Sequence, residues 1–224
     1  MVRSLPPVIA IDGPSASGKG TVAKTVARAL GFHYLDSGAL YRLVALVALE
    51  AGLNIENELT IYDIALKLNA KFEDDAVHLE GRDVTDAIRS EAVSATASAV
   101  AALPTVRRAL LERQRAFRKP PGLVADGRDM GSAVFPDAVL KVFLTATPEE
   151  RARRRYKQLM EKGLSANMAA LLQDIQERDA RDSARAVAPL QKCADAVEID
   201  TTAMAAAAAA LQVVARYRQA SRAP

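Results

Sequence analysis

The apolar run Val8-Ile9-Ala10-Ile11 leads straight into Gly13-Pro14-Ser15-Ala16-Ser17-Gly18-Lys19-Gly20-Thr21, and no other stretch constrains the chain as strongly. A short apolar strand, a glycine-rich turn and a helix start form the context that a phosphate-binding loop requires. Backbone N–H groups in such a loop converge on phosphate oxygens, and the helix N-terminus behind them favours anionic charge. Gly13 and Gly18 allow a close backbone approach that a Cβ would block. Lys19 adds a compact, mobile cation for the outer phosphates of a nucleoside triphosphate. Val22, Ala23, Val26, Ala27 and Leu30 recur at helical spacing behind the loop. All nine residues from Gly13 to Thr21 are therefore candidate triphosphate contacts.

One detail narrows the class. The usual pattern places Ser or Thr directly after the lysine, whereas here Gly20 intervenes and the hydroxyl arrives at Thr21. This Gly-Lys-Gly-Thr ending resembles nucleoside monophosphate kinases more than GTPases or motor ATPases.

Strand and helix signals then alternate, which predicts an α/β fold: a three-layer phosphate-loop architecture with a parallel central sheet flanked by helices. Strands are expected at Val8–Ile11, Phe32–Leu35, Leu123–Ala125, Leu140–Thr145 and Ala196–Ile199. Helices are expected from the loop to Leu30, from Ala39 to Ala51, after Thr147 and from about Ala203 to Ala220. Thr147 suits an N-cap, Pro148 the first helical position, and Glu150 completes a capping box. Residues 60–105 break the alternation. Lys71–Asp74 and Val77–Leu79 read as a hairpin, a further strand ends at Val84, and Thr85-Asp86 is expected to cap one helix from Ala87 to Ala102. The expected organisation is a single domain over 1–224, carrying a small inserted α+β subdomain at 60–105.

With 224 residues, half of them apolar, the chain can bury one sizeable core and an appended subdomain. The net charge of +3 does not demand a nucleic-acid partner, but arginines outnumber lysines 21 to 9. That bias suits bidentate recognition of phosphate and carboxylate. The lone Cys193 permits no intrachain disulfide and reads as an inert thiol, and His33 and His78 read as structural or surface residues. The opening Met1-Val2-Arg3-Ser4-Leu5-Pro6-Pro7 leaves no room for a signal peptide ahead of the first strand, and no apolar run approaches the roughly 20 residues of a membrane span. A soluble cytoplasmic protein is expected.

In doubly wound sheets ligands sit beyond the carboxyl ends of the strands. Two polar clusters besides the loop fall there: Asp36-Ser37-Gly38 with Tyr41 and Arg42, and Asp126-Gly127-Arg128-Asp129. Arginines cluster at 107, 108, 113, 115 and 118, at 151, 153, 154 and 155, and at 178, 181 and 185. Arg151, Arg154 and Arg155 share one helix face at i, i+3, i+4, and Arg178, Asp182 and Arg185 another at i, i+4, i+7. A triphosphate and a second phosphate in one crevice need several such cations, because phosphoryl transfer is mostly positioning and charge stabilisation. Another small-molecule kinase acting on UMP, AMP or shikimate is a competing reading, as is a nucleotide switch or basic nucleic-acid-binding module. The absence of an Asn-Lys-x-Asp motif weakens the switch.

Taken together, Gly13–Thr21, Leu35-Asp36-Ser37-Gly38-Ala39-Leu40-Tyr41-Arg42, Ala125-Asp126-Gly127-Arg128-Asp129-Met130-Gly131, Phe135-Pro136-Asp137-Ala138 and Arg185-Ala186-Val187-Ala188-Pro189-Leu190 resemble bacterial cytidylate kinases, in order, from about residue 7 to 200. The resemblance implies transfer of a phosphoryl group from ATP, with Mg²⁺, to CMP or dCMP. It implies cytosine contacts from Ser37, Arg107, Asp129 and Arg185, sugar contacts from Arg178 and Asp182, and acceptor-phosphate contacts from Arg42 and Arg128. Asp36 and Tyr41 join these as substrate-binding candidates, Thr21 is the candidate metal contact, and Lys19, Arg128, Arg154 and Arg155 are the catalytic candidates. Residues 60–105 resemble the family's monophosphate-binding subdomain and 150–164 its lid. The partners implied are small molecules, with no nucleic acid and no membrane, and the chain is expected to act as a monomer.

Overall fold

The structure, a computed structural model, describes residues 5–73 and 76–221. The chain divides into two compact units, one built from the segment up to Leu35 together with Phe117 onward, the other from Asp36 to Ala116.

The first unit is organised by a five-stranded sheet in the order β2-β6-β1-β7-β8. Its strands are β1 (Val8–Asp12), β2 (His33–Asp36), β6 (Leu123–Gly127), β7 (Leu140–Thr145) and β8 (Val197–Asp200). β1 lies between β6 and β7, and β7 beside β8, all three pairings parallel. Every residue of β1 and β6 is buried, as continuous apolar runs in a parallel sheet require. Helix α1 (Lys19–Leu30) buries Val22, Ala23, Val26 and Ala27. It ends at Gly31, whose left-handed backbone lets Phe32 N–H reach the Ala27 carbonyl at 2.9 Å. Alongside α1, α8 (Ala206–Ala220) adds Ala209, Ala210, Val213 and Val214 to a core shared with Ile9, Ile11, Val142, Leu144 and Ile199. Each fully buried Ile, Leu or Val there contributes about 1.5–3 kcal/mol. Helices α6 (Pro148–Glu161) and α7 (Met168–Ser183) pack on each other through Ala152, Leu159, Leu171 and Ile175.

The second unit holds α2 (Ser37–Glu50), α3 (Glu58–Lys67), α4 (Glu91–Val100), α5 (Pro104–Arg115) and an antiparallel sheet β3-β4-β5 (Ala70–Glu73, Ala76–Leu79, Arg82–Asp83). Its helices meet as α2 on α4 and α3 on α5, around Leu40, Leu43, Ile61, Val93 and Leu110.

The sheet and its order of elements follow the alternation in the sequence, with Asp74 of the expected hairpin outside the described residues. Three expectations change. The helix expected from Ala87 to Ala102 is divided: Ala87–Arg89 form a 3-10 turn, and Ser90 then caps α4 by accepting from Val93 N–H. A serine that bonds the next turn starts a new helix rather than continuing the old one. The capping box is half made. Thr147 accepts from Glu150 N–H at 3.3 Å, but the Glu150 carboxylate binds Arg153 and Arg154 instead of reaching back, because charge-assisted bonds are stronger. Finally, α7 stops at Ser183, so Arg185 lies beyond the helix that carries Arg178 and Asp182.

Gly13 is the most tightly enclosed of the described glycines. A Cβ built there would stand 2.0 Å from the Leu144 carbonyl oxygen, and backbone cannot swing aside. Gly31, with left-handed φ, has nothing within 4 Å of such a Cβ. Gly13→Ala is therefore expected to destabilise by at least about 2 kcal/mol and Gly31→Ala by about 1 kcal/mol. Urea midpoints check this, and equal losses would contradict it.

Candidate active site

In the first unit, β1 ends at Asp12 and the chain turns through Gly13–Gly18 into α1. Gly18 takes φ 89°, a conformation glycine adopts without strain, and Lys19 opens the helix with its Nζ donating to the Pro14 carbonyl at 3.0 Å. The loop is held from its carbonyl side. Arg151 Nη1 approaches Ser15 O at 3.4 Å, Arg154 Nη1 donates to Ser17 O at 3.1 Å, and the buried Thr201 hydroxyl lies 2.9 Å from Ser17 O. In a trans peptide the carbonyl and the following N–H point in opposite directions. Bonds on the carbonyls of Ser15 and Ser17 thus aim the N–H groups of Ala16 and Gly18 the other way.

Gly20 has its own reason. A Cβ there would lie 3.3 Å from Asp126 Oδ2 and 3.8 Å from the Tyr34 hydroxyl, which donates to that same oxygen at 3.3 Å. The place a serine hydroxyl usually occupies is bordered by a carboxylate on the end of β6. Thr21 sits exposed in the first turn of α1.

Several of the arginines are matched with carboxylates. Asp182, 1% exposed, accepts from Arg128 Nε at 2.8 Å and from Arg185, which joins it from beyond the end of α7. Burial pushes the Asp182 carboxyl up, but Arg128 and Arg185 outweigh it and hold it below the usual range. Arg178 stands half-buried on the same helix. Arg151, expected on one face with Arg154 and Arg155, is buried and binds Asp179 through both Nη atoms at 2.9 and 2.6 Å. Arg154 is held by Glu150 Oε1, Ser17 O and Thr201, while Arg155 stands half-buried. An open groove of about 420 Å³ beside Pro14 is walled by this Arg151–Asp179 pair and by the ends of β7 and β8.

Asp129 is buried at the end of the β6 loop, and a single π-helical turn, Met130–Val134, follows it. The turn is anchored by Asp12, whose two oxygens accept from Met130 and Gly131 N–H, both at 2.8 Å. Burial raises the Asp12 carboxyl to about 7, those two N–H bonds oppose the rise, and Asp129 and Asp126 add to it.

In the second unit, Asp36 caps α2 by accepting from Ala39 N–H at 3.1 Å and binds Arg42 at 2.6 Å. Gly38 leaves room for that pair, since a Cβ would meet Arg42 Nη1 at 3.0 Å. Ser37 and Tyr41 are buried in the first two turns of α2. Arg107, also buried, donates to the Ala101 carbonyl at 3.1 Å and lies over the Tyr41 ring at 5.7 Å. Its sequence neighbours go elsewhere: Arg108 and Arg115 are exposed, and Arg118, in the first unit, bonds Pro6 O and Asp137. The smaller unit thus places Ser37, Tyr41, Arg42 and Arg107 on two of its helices. The larger places the loop, Arg128, Asp129, Arg178, Asp182 and Arg185 around strand and helix ends.

Asp12, Tyr34 and Thr201 are polar groups of the loop's surroundings that sequence reading did not single out, while Asp126 was read within the cluster after β6 but given no role of its own. An acid closing an apolar strand is the signal available for Asp12 and Asp126, while Thr201 carries none. Burial raises the Cys193 thiol, in keeping with an inert residue. Among the described residues no cluster of three or more His, Cys, Asp or Glu side chains forms a metal cage, and no helix is long and apolar enough to cross a membrane.

A family profile described as cytidylate kinase matches residues 9–219. The cytidylate kinase of Nitrosomonas europaea is 54% identical over 217 residues, covering 97% of this chain and 97% of its own. That of Nitrosomonas eutropha is 58% identical over 198 residues and covers 88% of each chain. That of Burkholderia pseudomallei is 58% identical over 213 residues, covering 95% of this chain and 93% of its own.

Two of the buried carboxylates, Asp182 and Asp12, predict opposite pH signatures. Asp182, lowered in the fold, contributes stability above the ordinary carboxylate range and loses it as pH falls through its lowered value. Asp182→Asn is expected to cost about 3 kcal/mol near neutrality, and less in acid. Asp12, raised from 3.8 to about 7, is most favourable at low pH, and that stability is lost as pH climbs between those values. Relative to Asp12→Asn, wild type should therefore lose stability from pH 5 to 8. Thermal unfolding from about pH 2 to 8 checks both signs, Asp182 at the acid end and Asp12 between its ordinary and raised values, and parallel profiles for the two variants would contradict them.

Proposed function

This chain belongs to the cytidylate kinase family, and we propose that it transfers the γ-phosphoryl group of ATP to CMP and dCMP, giving CDP and dCDP. The observation that carries this reading is the family match over residues 9–219, which takes in every residue assigned a role below.

The loop Gly13–Thr21 receives the triphosphate, its N–H groups on the phosphate oxygens and Lys19 on the outer phosphates. Magnesium fits the oxygen donors beside the loop: the Asp126 carboxylate borders the spot opened by Gly20, and Thr21 offers a hydroxyl on the first turn of α1. When bound, Mg²⁺ offsets charge on the phosphate oxygens. Arg42 and Arg128 hold the acceptor phosphate, each oriented by a carboxylate, Asp36 and Asp182. Arg178 and Asp182 meet the sugar. Arg128, Arg154 and Arg155 stabilise the moving phosphoryl group, whose charge spreads over three equatorial oxygens.

Ser37, Arg107, Asp129 and Arg185 read the base, with Tyr41 beneath Arg107. Cytosine presents an amino donor and ring acceptors, where uracil presents a carbonyl and an N–H. Groups bonded to cytosine are left unpaired by uracil, at roughly 1–3 kcal/mol per buried group. Residues 60–105 act as the monophosphate-binding subdomain and 150–164 as the lid. The chain works as a cytoplasmic monomer without a nucleic-acid or membrane partner.

A coupled ADP-release assay across CMP, dCMP, UMP, AMP and shikimate tests the reading. CMP and dCMP are expected to turn over fastest. Faster turnover of UMP or AMP, or none with CMP, would reject it. In the same assay Lys19→Ala should lower kcat by at least roughly 100-fold, because the developing charge loses a positioned cation. Near wild-type turnover in that variant would remove Lys19 from the mechanism.

A further inference from the structure

Thr201 follows β8, far in sequence from the phosphate loop, and is 2% exposed. Its hydroxyl oxygen lies 2.9 Å from the Ser17 carbonyl and 2.9 Å from the Thr145 carbonyl, and Arg154 Nη1 donates to it at 3.1 Å. Arg154 Nη2 donates to the Thr201 carbonyl, and the Thr201 N–H donates to Thr145 O at 2.8 Å. One side chain thus ties the end of β7, the helix carrying Arg154 and the peptide that joins Ser17 to Gly18.

We infer that Thr201 is a positioning residue for the donor nucleotide, acting through the Ser17–Gly18 peptide. A hydroxyl has one proton to give and lone pairs to accept with. Accepting from Arg154 leaves that proton to be shared between the Ser17 and Thr145 carbonyls, both at 2.9 Å, and the Ser17 oxygen also takes a bond from Arg154. Because the peptide is planar and trans, fixing its oxygen fixes the opposite direction of the Gly18 N–H. Gly18 holds φ 89°, so its own backbone, with no Cβ to restrain it, resists reorientation weakly. The brace supplies that restraint from a distant strand. Its bonds reach the donor loop and Arg154 but none of the acceptor contacts, so its loss should weaken ATP, lower kcat where Arg154 is disturbed, and spare the affinity for the acceptor nucleotide. The inference rests on the reading of Gly13–Thr21 as the triphosphate site.

The test compares Thr201→Val, which keeps the shape and removes the hydroxyl, Thr201→Ala, which adds no new methyl, and Thr201→Ser, which keeps the hydroxyl. In the full chain, KM for ATP should rise about tenfold in the valine and alanine variants, while KM for CMP stays within about twofold. The serine variant should stay within about twofold of wild type for both. Calorimetric titration with a non-hydrolysable ATP analogue, the β,γ-imido compound, should show the same tenfold weakening without any turnover. An unchanged KM for ATP, equal rises for ATP and CMP, a rise in valine without alanine, or a serine variant as impaired as valine would each overturn the inference. Weakened analogue binding in a wild-type-folded variant of a protein that does not turn over CMP would uphold the brace and reject the kinase reading instead.

Discussion

The backbone of the phosphate loop leaves β1 in contact with the backbone of β7, at a spacing that only a residue without a side chain permits. Gly13 against the Leu144 carbonyl sets where the loop begins, and Lys19 at the first turn of α1 sets where it ends. Between those points Ser15 and Ser17 present their carbonyls to Arg151, Arg154 and Thr201. A loop gripped by its acceptor side has its donor side aimed in advance, so binding a phosphate costs little reorganisation.

The abundance of arginine follows from the same need for preorganisation. A guanidinium left to itself is a long, mobile group, and ordering it on binding weakens the complex. Here carboxylates do the ordering beforehand: Asp36 for Arg42, Asp182 for Arg128 and Arg185, Asp179 for Arg151, Glu150 for Arg153 and Arg154. The 27 acidic residues that include these partners, set against 30 lysines and arginines, leave a net charge of only +3. Asp12, another buried acid, is held differently. It is matched with two backbone N–H groups rather than with an arginine, and two further aspartates lie nearby, so burial dominates its proton affinity.

What could be read in advance was what local chemistry decides. The strand, glycine turn and helix at 8–30, the cap at Thr147 and the strand Leu140–Thr145 depend on neighbours a few residues away. Helix α3 was not legible, because Glu58–Lys67 buries only Ile61 and Ala65 and shows a weak apolar stripe. The break at Ser90 was hidden because an Ala-rich run suits a helix until one serine bonds the backbone ahead of it. Sorting the arginines was harder still. Spacing puts Arg151, Arg154 and Arg155 on one face, but only tertiary contacts separate the buried Arg151, tied to Asp179, from its neighbours. Thr201 lies 184 residues from the carbonyl it contacts, beyond the reach of any periodicity.

The shape of the loop and its readiness for phosphate are most directly tested by the backbone amide resonances of residues 13–21 as ATP is added to the protein alone. A loop set in advance predicts dispersed, single resonances before ATP arrives, with the largest shifts on addition at Ala16, Gly18, Lys19 and Gly20. Broadened or multiple loop resonances in the unliganded protein, or ATP shifts concentrated elsewhere while these amides stay put, would contradict it.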